Sequence, residues 1–137
     1  MRFFEARQTI SAPPARVWSI LTDAARLTQG FGILQLQGRI APGEVLRLRA
    51  EAAPSRDFVL RVSAFDPPKR MVWSGGMPLG LFTGTRVFTL DPIPGGCQFT
   101  MREEYTGLMA PLIFKSIPDL TPAFRQFAAA LKKEAEA

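Results

Sequence analysis

An arginine and a glutamate on neighbouring predicted strands are the residues of this chain best placed to do chemistry. Arg86 shares one face of its strand with Phe88 and Leu90, and Glu103 shares one face of the next strand with further apolar residues. A hairpin around residues 92–96 predicts that the two charged residues lie opposite or diagonal to each other. If these faces point inward, a guanidinium and a carboxylate enter an apolar interior, where a charge is costly unless it is paired.

This pair predicts a polar anchor for a ligand that carries a carboxylate, a phenolate or an enolate. In an enzyme, Glu103 would act as a general base or acid and Arg86 would stabilise an oxyanion. The structural alternative is that both charges lie near the strand ends and are half-solvated. Tyr105, the only tyrosine, lies two residues from Glu103 on the same face. Its phenol is a candidate ligand contact or an amphipathic residue at the edge of the core.

Composition and charge narrow the chemistry further. The chain of 137 residues has no histidine and a single cysteine, Cys97. Ser–His–Asp and Cys–His nucleophile systems and imidazole-dependent zinc sites are therefore excluded, and we expect neither a metal nor a cofactor. The net charge of +5 comes from basic residues that are spread along the chain. Without a basic run or a recognition motif, this charge predicts a solvated surface and no nucleic acid partner.

The elements that must position these residues follow from the hydrophobic pattern. Residues 2–10 and six further segments between residues 33 and 106 alternate apolar and polar side chains, which predicts seven strands. One buried and one wet face on each strand is typical of an antiparallel sheet. Two short helices are predicted at about 13–22 and 24–29. A C-terminal amphipathic helix is predicted to begin at Thr121, which would serve as its N-cap.

The alternation also predicts details of the sheet. Leu34 is expected on the buried face, and a turn at Pro54–Ser55 is expected to separate two strands. On the outer face, Arg39, Arg47 and Arg61 are expected to form one cross-strand row. Because like charges side by side repel each other, such a row is expected to be solvated or to face an acidic partner.

The order of these elements resembles the helix-grip fold of the START-like superfamily, which includes polyketide cyclase/dehydrase and lipid-transport proteins. The matching stretches are Ile10–Trp18, Leu21–Asp23, Met71–Gly76, Gly84–Leu90, Gly95–Gly96, Glu104–Gly107 and Ala130–Glu134. The resemblance covers the whole chain and implies one α+β domain over residues 1–137, with a curved seven-stranded antiparallel sheet around a long C-terminal helix. It also implies a deep cavity between the sheet and that helix. Many relatives carry a Trp-Asn-Pro-like segment where this chain has residues 27–32, so contacts made there should not be transferred.

The leading functional prediction is binding, extending to transport, of a small hydrophobic or aromatic ligand in that cavity. One alternative is a metal-independent cyclase/dehydratase-like enzyme that acts in the same cavity. Another is a protein-interaction module that uses apolar loops and has a well-packed interior without a ligand-sized cavity. The residues predicted to contact a ligand are Arg86, Glu103, Tyr105, Trp73, Phe99, Met101, Phe88, Leu81, Phe82 and Met109.

Two segments rich in apolar residues, 76–82 and 108–114, are predicted to form lids at the mouth of the cavity, with glycines as hinges. The alternatives are a homodimer interface and simple packing of the two segments against each other. The sequence shows no targeting signal and no apolar run long enough to cross a membrane, so the expected location is the cytoplasm.

Overall fold

Seven antiparallel strands and three α-helices make up the computed structural model, which describes residues 2–137. The strands are β1 (Phe3–Ile10), β2 (Ile33–Gln37), β3 (Val45–Ala50), β4 (Ala53–Asp66), β5 (Arg70–Gly76), β6 (Thr83–Ile93) and β7 (Gly96–Thr106). The helices are α1 (Pro14–Leu21), α2 (Ala110–Phe114) and α3 (Thr121–Glu136). Within the described residues, no helix is long and apolar enough to cross a membrane.

The strand order in the sheet is β1-β7-β6-β5-β4-β3-β2. Strands β2 to β7 therefore follow one another as a meander, and β1 pairs with the last strand. This is the predicted α+β arrangement of a curved antiparallel sheet with a C-terminal helix. The meander places β6 and β7 side by side. Each of these two strands carries a charged residue on the inner face of the sheet, Arg86 on β6 and Glu103 on β7.

Helix α3 covers only part of the inner face of the sheet. Its buried side chains recur at helical spacing, and they are Phe124, Phe127, Ala128, Leu131 and Ala135. These side chains pack mainly against β1 and also reach β7. A helix is about 10 Å wide and strands lie about 4.8 Å apart, so one helix covers roughly two strands. The inner faces of the more distant strands must be covered by other side chains or border an open space.

The C-terminal end of α3 is tied to the segment that connects β1 with α1. Arg16 Nε donates a hydrogen bond of 2.6 Å to the Ala135 carbonyl oxygen, and the Ser11 backbone N–H donates one of 2.7 Å to Glu136 Oε2. Lys132 Nζ donates to the same carboxylate at 2.6 Å. The hydrogen bonds from Lys132 and then from Ser11 lower the pKa of Glu136. The helix is therefore anchored at this end.

The structure corrects two predicted helical segments and adds a short helix that the sequence analysis did not predict. The segment expected as a helix at 24–29 is a single 3₁₀ turn at Arg26–Thr28. Helix α3 begins at Thr121, but its N-cap is Leu120, so Thr121 is the first helical residue and makes no capping bond. The segment 108–114 contains α2, because a proline is tolerated in the first turn of a helix.

The strand pairing shifts register at three points, of which one lies between Ser63 and Phe65 in β4, and the other two change the predicted faces and turns. The pairing of β2 with β3 shifts between Ile33 and Gln35, so Ile33 is buried and Leu34 is 49% exposed. A second shift lies between Leu48 and Ala50. The turn between β3 and β4 consequently falls at residues 51–52, before the proline–serine pair that was expected to form it. A bulge inserts one residue and reverses the alternation after it, which strict period-two reasoning misses.

The predicted arginine row on the outer face is wrong. Arg47 lies opposite Val59, whereas Arg61 lies opposite Val45, two positions further along the ladder. Arg39 follows the end of β2 and takes no part in that ladder. The three guanidinium groups are therefore staggered, which reduces the repulsion that a row would produce.

We expect the packing of α3 to dominate the stability of the domain. Leu131 is fully buried, so Leu131→Ala should lower the free energy of unfolding by about 2–5 kcal/mol. The exposed Lys133, two residues along the same helix, provides the control Lys133→Ala, which should change it by less than about 0.5 kcal/mol. Urea denaturation measures both values, and equal effects would contradict the described packing of the helix.

Candidate functional site

A cavity of about 800 Å³ lies between the inner face of the sheet and the N-terminal half of α3. Strands β3 to β7, helix α3 and residues 113–118 contribute to its walls. The volume falls in the range of about 300–1,000 Å³ that is typical of small-molecule sites. Its aromatic lining residues are Phe31, Phe58, Phe82, Tyr105, Phe124 and Phe127.

The pairing of β6 with β7 places Arg86 directly opposite Glu103. Arg86 Nε donates a hydrogen bond of 2.8 Å to Glu103 Oε1. The two side chains are 17% and 15% exposed, so the ion pair is largely withdrawn from water. Both residues line the cavity. A partly desolvated pair of this kind is costly to break from one side, because the remaining charge loses its partner.

Tyr105 completes the polar cluster from the same strand as Glu103. Its hydroxyl donates a hydrogen bond to Glu103 Oε2, the carboxylate oxygen that Arg86 does not occupy. Burial, followed by the nearby Glu103 carboxylate and this hydrogen bond, raises the pKa of Tyr105 well above its usual range. The phenol is therefore a neutral donor, and both carboxylate oxygens already accept a strong hydrogen bond.

Packing fixes the orientation of each member of this cluster. The Arg86 guanidinium carbon lies 5.0 Å from the centre of the Phe124 ring on α3. The Tyr105 ring stacks on Phe82 with centroids 5.8 Å apart and lies 5.5 Å from Phe114. Gly84 lies opposite Tyr105 in the ladder, and a Cβ atom there would lie 3.5 Å from the aromatic ring, which is ordinary van der Waals contact. The polar groups are therefore held on rigid strands rather than on loops.

The predicted ligand contacts divide into two groups. Five of the ten line the cavity, namely Arg86, Glu103, Tyr105, Met101 and Phe82. Trp73, Phe88 and Phe99 also lie on the inner face, but they are fully buried in the core and do not line the cavity. Phe127 of α3 packs on both phenylalanines, which fills the space beside them. Leu81 and Met109 are half-buried outside the cavity lining.

Several lining residues were not among the sequence-based candidates. Phe124 and Phe127 belong to the apolar stripe of α3, which the periodicity assigned to the core. The apolar stripe of the helix could have identified these two residues as candidates. It faces the space between the helix and the sheet, where the cavity was predicted to lie. Phe31 and Ile117 come from irregular segments, and no periodic pattern marks their orientation.

The two segments predicted as lids lie side by side and form one rim of the cavity. The Met109 backbone N–H donates a hydrogen bond of 2.8 Å to the Leu81 carbonyl oxygen. Gly107 has a φ of 110°, and a Cβ atom there would lie 2.5 Å from that same oxygen. Only glycine therefore permits this close approach of the two chains.

The side chains of this rim face in two directions. Three of them line the cavity, namely Met77, Phe82 and Ile113. Three others project from the surface with exposed fractions of 96%, 84% and 65%, and these are Leu79, Leu108 and Leu112. The rim thus joins the apolar interior of the cavity to an exposed apolar surface.

Comparison with known proteins adds a family and a fold. A sequence model described as polyketide cyclase/dehydrase and lipid transport matches residues 1–136. A solved structure from Mesorhizobium loti superposes with a TM-score of 0.74 at 19% identity, over 96% of this chain and 95% of that one. A second, from Chromobacterium violaceum, gives 0.73 at 19% identity over 99% and 98%. No curated protein matches the sequence.

The di-domain ARO/CYC BexL from the BE-7585A biosynthetic pathway has the same fold, with a TM-score of 0.73 at 20% identity. The match covers 98% of this chain and 50% of BexL. Identities this low show the fold alone. Together with the strand order and the C-terminal helix, these matches identify the architecture as the helix-grip fold.

Tyrosinate absorbance reports Tyr105 alone, because the chain has no other tyrosine. We expect the folded protein to form no tyrosinate as the pH rises through about 10, the ordinary pKa of tyrosine. Because the folded pKa is raised, the stability contributed by this group is fully present below the unfolded pKa of about 10 and is lost as the pH rises above it. The denatured chain is the control. Folded protein that titrates like the denatured chain would contradict the buried hydrogen bond to Glu103.

Proposed function

Because the chain belongs to the polyketide cyclase/dehydrase and lipid transport family, we propose that it binds a small apolar or aromatic molecule in the cavity beside α3. The observation that supports this proposal is an 800 Å³ space with an aromatic lining and one polar cluster. Burial of apolar ligand surface contributes about 25 cal/mol per Å². The polar cluster then orients the ligand, as a few convergent polar groups do in most small-molecule sites.

The rim formed by residues 76–82 and 108–114 is the entrance that we propose for this ligand. Its side chains line the cavity on one side and meet solvent on the other. A ligand that enters here would leave water gradually, along a continuous apolar path. Movement of the two segments would be coupled, because a backbone hydrogen bond joins them.

An enzymatic role in the same cavity is the second candidate, since the family includes cyclases and dehydrases by description. The hydrogen bonds that the Glu103 carboxylate already accepts are evidence against an enzymatic role. Glu103 already accepts hydrogen bonds from Arg86 and Tyr105 on both oxygens, and a general base needs access to a substrate proton. The variant Glu103→Gln distinguishes the two roles. In an enzyme it should remove turnover and largely keep ligand binding, whereas in a carrier it should change only the affinity for the ligand.

The protein-interaction alternative fits less well. It predicts a well-packed interior, whereas the space beside α3 is large enough for a ligand. The exposed leucines of the rim are compatible with a partner surface, but they also border the proposed entrance. Ligand binding accounts for both the cavity and its polar cluster, and an interaction surface accounts for neither.

Native mass spectrometry after incubation with a mixed panel of fatty acids, isoprenoids and aromatic polyketides should detect a retained small molecule. The complex should survive gentle transfer into the gas phase and release its ligand on denaturation. The mass of the released molecule then gives its chemical class. No adduct across the whole panel would contradict the proposed binding function.

Filling part of the cavity should weaken ligand binding without unfolding the protein. Ala123 lines the cavity from α3, so Ala123→Phe is expected to weaken ligand binding at least tenfold. Ala129 lies on the exposed side of the same helix, and Ala129→Phe provides a matched control that should bind as the parent does. Circular dichroism checks the fold of both variants. Equal binding by the two variants would place the ligand elsewhere.

A further inference from the structure

The charges of the cavity indicate which ligand it accepts, and this inference rests on the proposed binding function. The chain as a whole carries a net charge of +5. The cavity lining does not share this excess, because it contains two arginines against three carboxylates. These residues are Arg56, Arg86, Glu51, Asp57 and Glu103. The protein as a whole is basic, but the residues that line the cavity provide no excess of positive charge that could attract an anionic ligand.

The buried end of the cavity is electrically neutral. Arg86 and Glu103 form an ion pair, and Tyr105 is held in its protonated form. A ligand carboxylate bound to Arg86 would share one guanidinium with Glu103, and the two anions would lie within a few ångströms in a partly desolvated site. A ligand cation would meet the Arg86 guanidinium instead. Both charged ligands are therefore disfavoured at this end.

Hydrogen-bond donors are still available there. Arg86 bonds to Glu103 through its Nε–H, and the other carboxylate oxygen accepts from Tyr105. A guanidinium carries five N–H donors, which is more than this one carboxylate can accept. Arg86 lines the cavity. The Tyr105 hydroxyl donates to Glu103, so the guanidinium edge is the donor that this cluster presents to a ligand.

We infer that the ligand is a neutral aromatic carbonyl compound, such as an aryl ketone or ester, rather than a carboxylate. Its carbonyl oxygen accepts a hydrogen bond from the Arg86 Nη groups, and its flat body packs among the phenylalanine rings of the lining. The inference replaces the earlier expectation of an anionic ligand group, namely a carboxylate, a phenolate or an enolate. The ion pair with Glu103 cancels the charge that would hold an anion.

Three ligands with one ring system test this inference, namely methyl naphthyl ketone, naphthoate and ethylnaphthalene. Isothermal titration calorimetry at neutral pH should give the ketone about tenfold higher affinity than ethylnaphthalene, because only the ketone accepts a hydrogen bond from a charged donor. Naphthoate should bind the parent protein at least about tenfold more weakly than the ketone. Naphthoate that binds as tightly as the ketone would overturn the inference.

Glu103→Gln should reverse the preference between ketone and carboxylate. The variant leaves Arg86 with an uncompensated positive charge, so naphthoate becomes the tighter ligand. Glu104→Gln is the matched control, because Glu104 is the next residue of the strand, points to the opposite face and pairs with Arg102. This control should keep the parent's order of affinities. An unchanged order in Glu103→Gln would contradict the inference.

A double variant covers the case in which Glu103→Gln does not fold. Arg86→Met combined with Glu103→Gln leaves no unpaired charge in the interior. It should bind the ketone and ethylnaphthalene with similar affinity, and naphthoate more weakly than either, because a desolvated carboxylate has no cation to pair with. A ketone advantage that survives in this variant would overturn the role of Arg86. If none of the three ligands binds the parent protein but the mass-spectrometry panel gives an adduct, the inference fails and the proposed function stands. If neither experiment detects a bound molecule, the proposed function itself fails. Binding of all three in the wrong order contradicts the inference alone.

Discussion

One helix has to cover the inner face of a seven-stranded sheet, and the rest of the structure depends on this geometric mismatch. Helix α3 has 16 residues and packs mainly on β1, at one edge of the sheet. Its width matches about two strands, so it cannot reach the inner faces of β3 to β5. Core side chains fill the space at one end of the helix, and a cavity remains at the other. The binding site is therefore a consequence of the architecture rather than an addition to it.

The polar cluster is placed where this mismatch leaves room for it. In a filled core, Arg86 and Glu103 would have to satisfy every donor and acceptor among themselves. Beside a cavity, each carboxylate oxygen accepts one hydrogen bond from the cluster, and the guanidinium has more donors than the carboxylate can accept. The pair lies on two long, adjacent strands, whose ladder runs without a shift from Thr83 to Ile93. That regular ladder fixes the cluster more firmly than a loop would.

Sequence reasoning predicted the parts that depend on strict periodicity. The alternation of β6 and β7 was enough to place Arg86, Glu103 and Tyr105 on one face, because no bulge interrupts these strands. The same reasoning failed for Leu34 and for the turn before β4, where bulges reset the alternation. It could not divide the inner face between core and cavity either. Trp73 and Met101 follow the same alternation and are both buried, yet only Met101 lines the cavity, and periodicity carries no information about that difference.

The two ends of helix α3 are held by different kinds of interaction. Backbone and side-chain hydrogen bonds fix residues 132–136 to the start of the chain. At the other end, the helix meets β3 through a single hydrogen bond of 3.5 Å, from Gln126 to the residue that follows that strand. Side-chain packing holds the cavity wall at this end, because the Phe124 ring lies 6.4 Å from the ring of Phe4 and 5.0 Å from the Arg86 guanidinium carbon. The shape of the cavity on its helical side therefore depends on the fit of aromatic side chains, whereas hydrogen bonds set the position of the opposite end of the helix.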